Sequence, residues 1–149
     1  GFDHADGPDY TPDGRWIWFN GDRDGRVDLW RIRPDGTGAE RMTEGDDVDW
    51  FPHPSPDGAL VVWLAYPPGT QGHPGGCDVR LRLMPATVGP ARDLVALQGG
   101  QGTINVPSWA PDGRRLAFMR SAPVSEGLPL SSHICQPLQR SLTMRPRSA

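Results

Sequence analysis

Three side chains in this sequence could assemble nucleophilic chemistry, because Ser108, His53 and Asp9 supply the nucleophile, base and orienting carboxylate of a hydrolytic relay. The surrounding pattern does not support that use. There is no Gly-x-Ser-x-Gly elbow to lift a serine out of a strand, and Ser108 directly follows Pro107. The four histidines, His4, His53, His73 and His133, raise a metal centre as a second chemistry. None lies two or four residues from another, so no pair is set on one face of a strand or helix, and no metal or cofactor is expected. Cys77 and Cys135 stand far apart without a partner spacing, which argues against zinc and leaves the redox compartment open. The acidic stretch Asp22-Arg23-Asp24-Gly25-Arg26-Val27-Asp28 has the look of a calcium loop, but Val27 occupies its glycine position and Arg33 its bidentate glutamate position. It reads instead as a hairpin. A denser run, Glu44-Gly45-Asp46-Asp47-Val48-Asp49, is either a solvated connection or an acidic rim for a basic partner.

The elements that must carry these residues are written in an internal repeat. Pro12-Asp13-Gly14, Pro56-Asp57-Gly58 and Pro111-Asp112-Gly113 align without gaps, at spacings of 44 and 55 residues. In each, Pro presets φ, Asp caps the turn and Gly takes the left-handed conformation that closes a hairpin with a one-residue bulge. An apolar strand follows each turn: Trp16 to Phe19, Leu60 to Trp63 and Leu116 to Phe118. Further strands are predicted at Val27–Arg33, Glu40–Thr43, Asp78–Met84 and Arg92–Leu97, with a Pro/Gly-rich insertion between Ala65 and Cys77. The predicted fold is all-β, a partial β-propeller of about two and a half four-stranded antiparallel blades. The repeats occupy residues 1–120, as units near 3–43, 44–97 and an incomplete 98–120. Residues 121–149 match nothing in the repeat and are expected to be irregular or disordered.

Composition excludes several classes. The net charge of −3 offers no electrostatic footprint for nucleic acid, and no apolar run approaches a membrane span. The 19 Gly and 17 Pro favour short strands joined by tight turns over long helices. Six tryptophans fall in or beside the predicted strands, where packing between sheets is the expected role rather than stacking on a sugar. No signal peptide is legible in the chain, which opens in mid-pattern at Gly1-Phe2-Asp3.

The residues Pro12-Asp13-Gly14, Asp28-Leu29-Trp30, Asp35-Gly36 and Met42-Thr43, with Trp50-Phe51-Pro52-His53-Pro54-Ser55-Pro56-Asp57-Gly58 and the stretch from Gly99 to Trp109, resemble the TolB-like (WD40-like) β-propeller repeat and its last blades. The resemblance implies a periplasmic or exported interaction scaffold, not an enzyme, that binds a protein or peptide in envelope transport or integrity. The alternative is the propeller of an oligosaccharide-lyase-like or prolyl-peptidase-like enzyme. In the alignment one slot varies after a shared proline, holding Asp9, His53 and Ser108. Together with Asn105 these residues are expected to face the central channel and contact a ligand or partner. Two and a half blades leave strand edges open, so the isolated chain is expected to self-associate or aggregate. Light scattering across a concentration series, paired with a thermal melt, tests this. A clean monomer with one sharp two-state transition would contradict it.

Overall fold

Alternation that leaves no polar side on β6 organises the molecule, as described in a computed structural model for residues 1–87, 89–121 and 138–143. Blade I runs β1 (His4–Tyr10), β2 (Ile17–Arg23), β3 (Arg26–Ile32) and β4 (Glu40–Arg41), paired antiparallel in that order. Blade II repeats the plan with β5 (Val48–Pro54), β6 (Leu60–Tyr66), β7 (Gly75–Pro85) and β8 (Arg92–Gly100). No helix forms among the described residues, and none is long and apolar enough to cross a membrane.

In β6, Val61, Trp63 and Ala65 face blade I and pack with its Trp18 and Leu29, beside Met84 and Ala86 of blade II. Val62, Leu64 and Tyr66 point the other way and pack with Leu81, Leu83, Ile104, Leu116 and Phe118. Both faces are dry, so the strand is a continuous apolar run rather than an alternating one. Four of the tryptophans, Trp18, Trp30, Trp50 and Trp63, are buried, as sheet packing requires.

The Pro-Asp-Gly turns have the predicted geometry. Gly14, Gly58 and Gly113 have φ of 67°, 72° and 66°. In blade II the Asp57 carboxylate accepts from the Ser55 hydroxyl at 2.5 Å and from Ala59 N at 3.0 Å, and Thr11, Asp13 and Arg15 repeat this in blade I. These hydrogen bonds hold both turn carboxylates below the usual aspartate range.

The third unit goes further than the repeat alone indicates. Ala117 N donates to Ser108 O, and Trp109 bridges to Leu116, so residues 108–110 act as an inner strand beside β9 (Arg115–Arg120). On the other edge of β9, β10 (Leu138–Thr143) pairs antiparallel from Leu138↔Arg120 to Thr143↔Arg115. This strand falls within the region expected to be irregular. An open edge of unpaired N–H and C=O groups accepts any extended segment that can reach it, whatever its repeat pattern. The remainder of the expected irregular tail, with His133 and Cys135, lies outside the described residues.

A polar seam crosses the interface between blades I and II. Leu29 N donates to Thr43 Oγ1, the Thr43 hydroxyl donates to the buried Asp49 carboxylate, and Trp63 Nε1 donates to Asp49 Oδ1 at 2.8 Å. Burial pushes the Asp49 pKa up to about 6, against the lowering effect of its two donors. In the folded chain Asp49 therefore keeps its proton to higher pH than in the unfolded chain. The stability this supplies is complete below about pH 4 and lost as pH rises through about 6, an effect of roughly 1–3 kcal/mol. Asp49→Asn preserves the acceptor for Trp63 and removes the charge. Denaturant melts from pH 4 to 7 should show the wild-type midpoint falling more steeply than the variant's, which keeps only the smaller decline from the buried Asp28.

Candidate functional site

Three inner strands carry the varying slot, and the first two are bent just before it. Register shifts by one residue between Asp6 and Asp9 in β1, and between Trp50 and His53 in β5. The residue before the shared proline is left-handed in both, Gly7 at φ 60° and Phe51 at φ 58°. Glycine adopts this freely; a phenylalanine must be forced into it. Here the Phe51 ring is buried in the core and Phe51 N donates to Oδ1 of the buried Asn20 from blade I, at 3.1 Å. The same Asn20 oxygen would lie 2.7 Å from a Cβ built on Gly7. One blade I side chain therefore fixes both bulges.

These bends turn the slot residues toward one another. His53 Nδ1 lies 3.0 Å from Asp9 Oδ2 in blade I, and Nε2 lies 2.6 Å from Ile104 O in the third unit. Both partners are acceptors, so the two bonds form together only when the ring donates from both nitrogens. Trp109 Nε1 adds a bond to His53 O at 2.9 Å. The imidazole is 3% exposed. His53 is the joint at which three repeat units meet, with both ring nitrogens occupied.

Asn105 and Ser108 are satisfied locally. Gly102 N donates to Asn105 Oδ1 at 2.7 Å, and the Ser108 hydroxyl donates to Val106 O at 2.8 Å. With the serine proton on a backbone carbonyl and the imidazole spent within the fold, Ser108, His53 and Asp9 do not form a proton relay in this arrangement. What the slot leaves open is apolar. Tyr10, next to Asp9, is 57% exposed, and Val106, two residues before Ser108, is 68% exposed. Neither residue stands out in the sequence, where a tyrosine and a valine beside a slot of prolines and short polar residues are the available signal.

The other sequence candidates resolve into structural roles. Asp22 to Asp28 spans the β2–β3 hairpin, with Asp24 and Gly25 both at positive φ, as a two-residue hairpin turn requires. The acidic connection is neither merely solvated nor a free rim. Asp47 pairs with Arg80 at 2.5 Å and Arg82 at 3.3 Å, and Asp49 is buried. His73, on the insertion, packs edge-on against Trp50 and Phe51, and its Nδ1 meets Gln101 Oε1 at 2.5 Å. Among the described residues no three His, Cys, Asp or Glu side chains converge as a metal centre would need.

Stacked four-stranded antiparallel blades whose inner strands meet at a polar joint define a partial β-propeller. No protein-family model matches the chain. A TolB candidate from Agrobacterium tumefaciens superposes with a TM-score of 0.79 at 50% identity, covering 81% of this chain and 44% of that one. An uncharacterized protein of Agrobacterium fabrum is 50% identical over 119 residues, which is 80% of this chain and 41% of that protein. TolB from Acinetobacter baumannii, at 18% identity and a TM-score of 0.63, shares the fold over 80% of this chain and 27% of that one. The chain is similar to TolB-like β-propeller proteins, and it spans less than half the length of the relatives it matches.

If His53 is a joint, its removal is read in stability first. His53→Ala leaves Asp9 and Ile104 O without their donor and opens a cavity between units, costing about 2–4 kcal/mol. Tyr10→Ser, at an exposed position, should change stability by less than about 0.5 kcal/mol. Chemical denaturation of both variants checks the contrast.

Proposed function

We propose that the chain belongs to a non-enzymatic interaction module, which binds a protein or peptide partner through the strip formed by Asp9, Tyr10, Asn105, Val106 and Ser108 and takes part in envelope transport or integrity. The reading rests above all on the exposure of Tyr10 and Val106 beside a slot whose polar groups are otherwise committed within the fold. Exposed aromatic and aliphatic side chains serve as binding anchors, here Tyr10 at the end of β1 and Val106 in the bend ahead of Ser108. His53 contributes by fixing the position of Asp9, not by touching the partner. The resemblance to TolB-like proteins supports a periplasmic or exported setting, and the absence of a relay through Ser108 favours binding over hydrolysis.

A photo-crosslinking residue placed at position 10 or 106, with position 24 on the outer hairpin as control, tests the strip in envelope fractions of a producing cell. A discrete adduct from positions 10 and 106, absent from 24 and weakened by Asp9→Lys, is the expected result. Equal labelling from all three positions, or a cytoplasmic location of the protein, would overturn the reading.

A further inference from the structure

Away from the inner strands, the first Pro-Asp-Gly turn and the β3–β4 turn enclose a second surface. Arg15, Trp16, Arg33, Pro34 and Asp35 line a groove of about 490 Å³, within the range of about 300–1,000 Å³ common for ligand clefts. Its floor is the half-buried Trp16, which rests on the packed seam between blades I and II. Two guanidinium groups sit over the indole, Arg31 at 4.4 Å and Arg33 at 5.2 Å from the ring centroid.

The two arginines are not equivalent. Arg31 is committed: it pairs with Glu40 at 2.6 Å and donates to Ala86 O at 3.1 Å. Arg33 has no carboxylate within ion-pair distance among the described residues, yet its side chain is held in place. It lies on the indole with Gly38 close beside it, a Cβ built there coming within 3.3 Å of its Nε. Arg15, with a side chain 80% exposed, stands on the facing turn in a loose ion pair with Asp13 at 3.6 Å. The groove therefore presents a pre-oriented planar cation fork beside an aromatic edge, with a second cation across from it.

The carboxylates around the groove narrow the choice of ligand. Asp35 accepts from Thr37 N and from the Thr37 hydroxyl, and Asp13 accepts from Thr11 and Arg15 N. Both are satisfied within their own turns. As fixed negative charges between the cations they disfavour a polyanion, while leaving Arg33 open to a single carboxylate. The larger cleft in blade II, lined by Pro67, Pro68, Arg80 and Leu97, offers no such group, because its Arg80 already carries Asp47 and Asp93.

We propose that this groove docks a short acidic segment of a partner protein, with one carboxylate bidentate on Arg33 and a neighbouring apolar side chain against the edge of Trp16. The proposal rests on the reading of the chain as an interaction module and names a surface distinct from the inner-strand strip.

The probe is a fluorescein-labelled hexapeptide of alternating Glu and Leu, compared with its Gln and Leu counterpart by fluorescence anisotropy on the full chain. The acidic peptide should bind with Kd below about 1 mM, at least tenfold tighter than the amide peptide, and weaken as salt rises. Arg33→Gln should remove about tenfold of that affinity. Arg33→Lys should recover little of it, since an ammonium lacks the planar fork. A melting temperature unchanged in Arg33→Gln excludes loss of fold, because Arg33 makes no internal ion pair. Equal binding of the two peptides, or affinity unaffected by Arg33→Gln, would overturn the proposal. So would displacement by inorganic phosphate or a short oligonucleotide at lower concentration than the acidic peptide, which would make the groove a phosphate site. Adducts at Tyr10 that persist while the acidic peptide fails would leave the inner-strand reading standing and this one refuted.

Discussion

No blade in this chain can bury its own faces. A four-stranded sheet has two sides, and in β6 both are lined by large apolar groups: Trp63 toward one neighbour, Leu64 and Tyr66 toward the other. Each sheet exists because another lies against it, which is the physical meaning of a repeat architecture. Every further feature, from the polar seam to the bent inner strands, is a solution to keeping successive sheets in a fixed relation.

That relation is set by a few polar contacts rather than by the apolar mass. Hydrophobic packing is non-directional and would tolerate small slips between sheets. The hydrogen bonds from His53 to Asp9 and to Ile104 O, from Phe51 N to Asn20, and along Thr43, Asp49 and Trp63 do not tolerate them, because each joins buried groups that lose water on burial. The same logic divides the inner strand into two kinds of position. Residues that hold the blades together lie wholly or partly inside; residues beside them, Tyr10 and Val106, are left to the outside.

The fold was largely legible in the sequence because its signals are local. Pro-Asp-Gly dictates a turn through the dihedral preferences of three adjacent residues, and Ala59 to Tyr66 announces a doubly buried strand by having no polar position. The site was less legible. The variation among Asp9, His53 and Ser108 located the slot, but a buried joint and a channel-facing ligand residue have the same polar character in sequence. The difference lies in contacts to Asp9, 44 residues away, and to Ile104, 51 residues away. The acidic run likewise could not disclose that Asp47 is drawn onto Arg80 and Arg82, since that pairing depends on how the connection folds back over β7. The added strand β10 was hidden for a third reason: edge pairing asks for extended backbone and reach, not for a recognisable pattern.

Phe51 gives the joint between blades I and II a mechanical character. Its left-handed backbone is retained only while its ring is packed and its N–H is held by Asn20 from the neighbouring sheet. Drawing the two sheets apart removes that acceptor, and relaxation of residue 51 to an ordinary extended conformation would abolish the bulge and shift the end of β5 by one position. A one-position shift reverses which side of the sheet each following side chain faces, so His53 would turn away from Asp9. The Asn20 bond at Phe51 and the Asp9 bond at His53 thus span the same interface, and parting the two sheets breaks both.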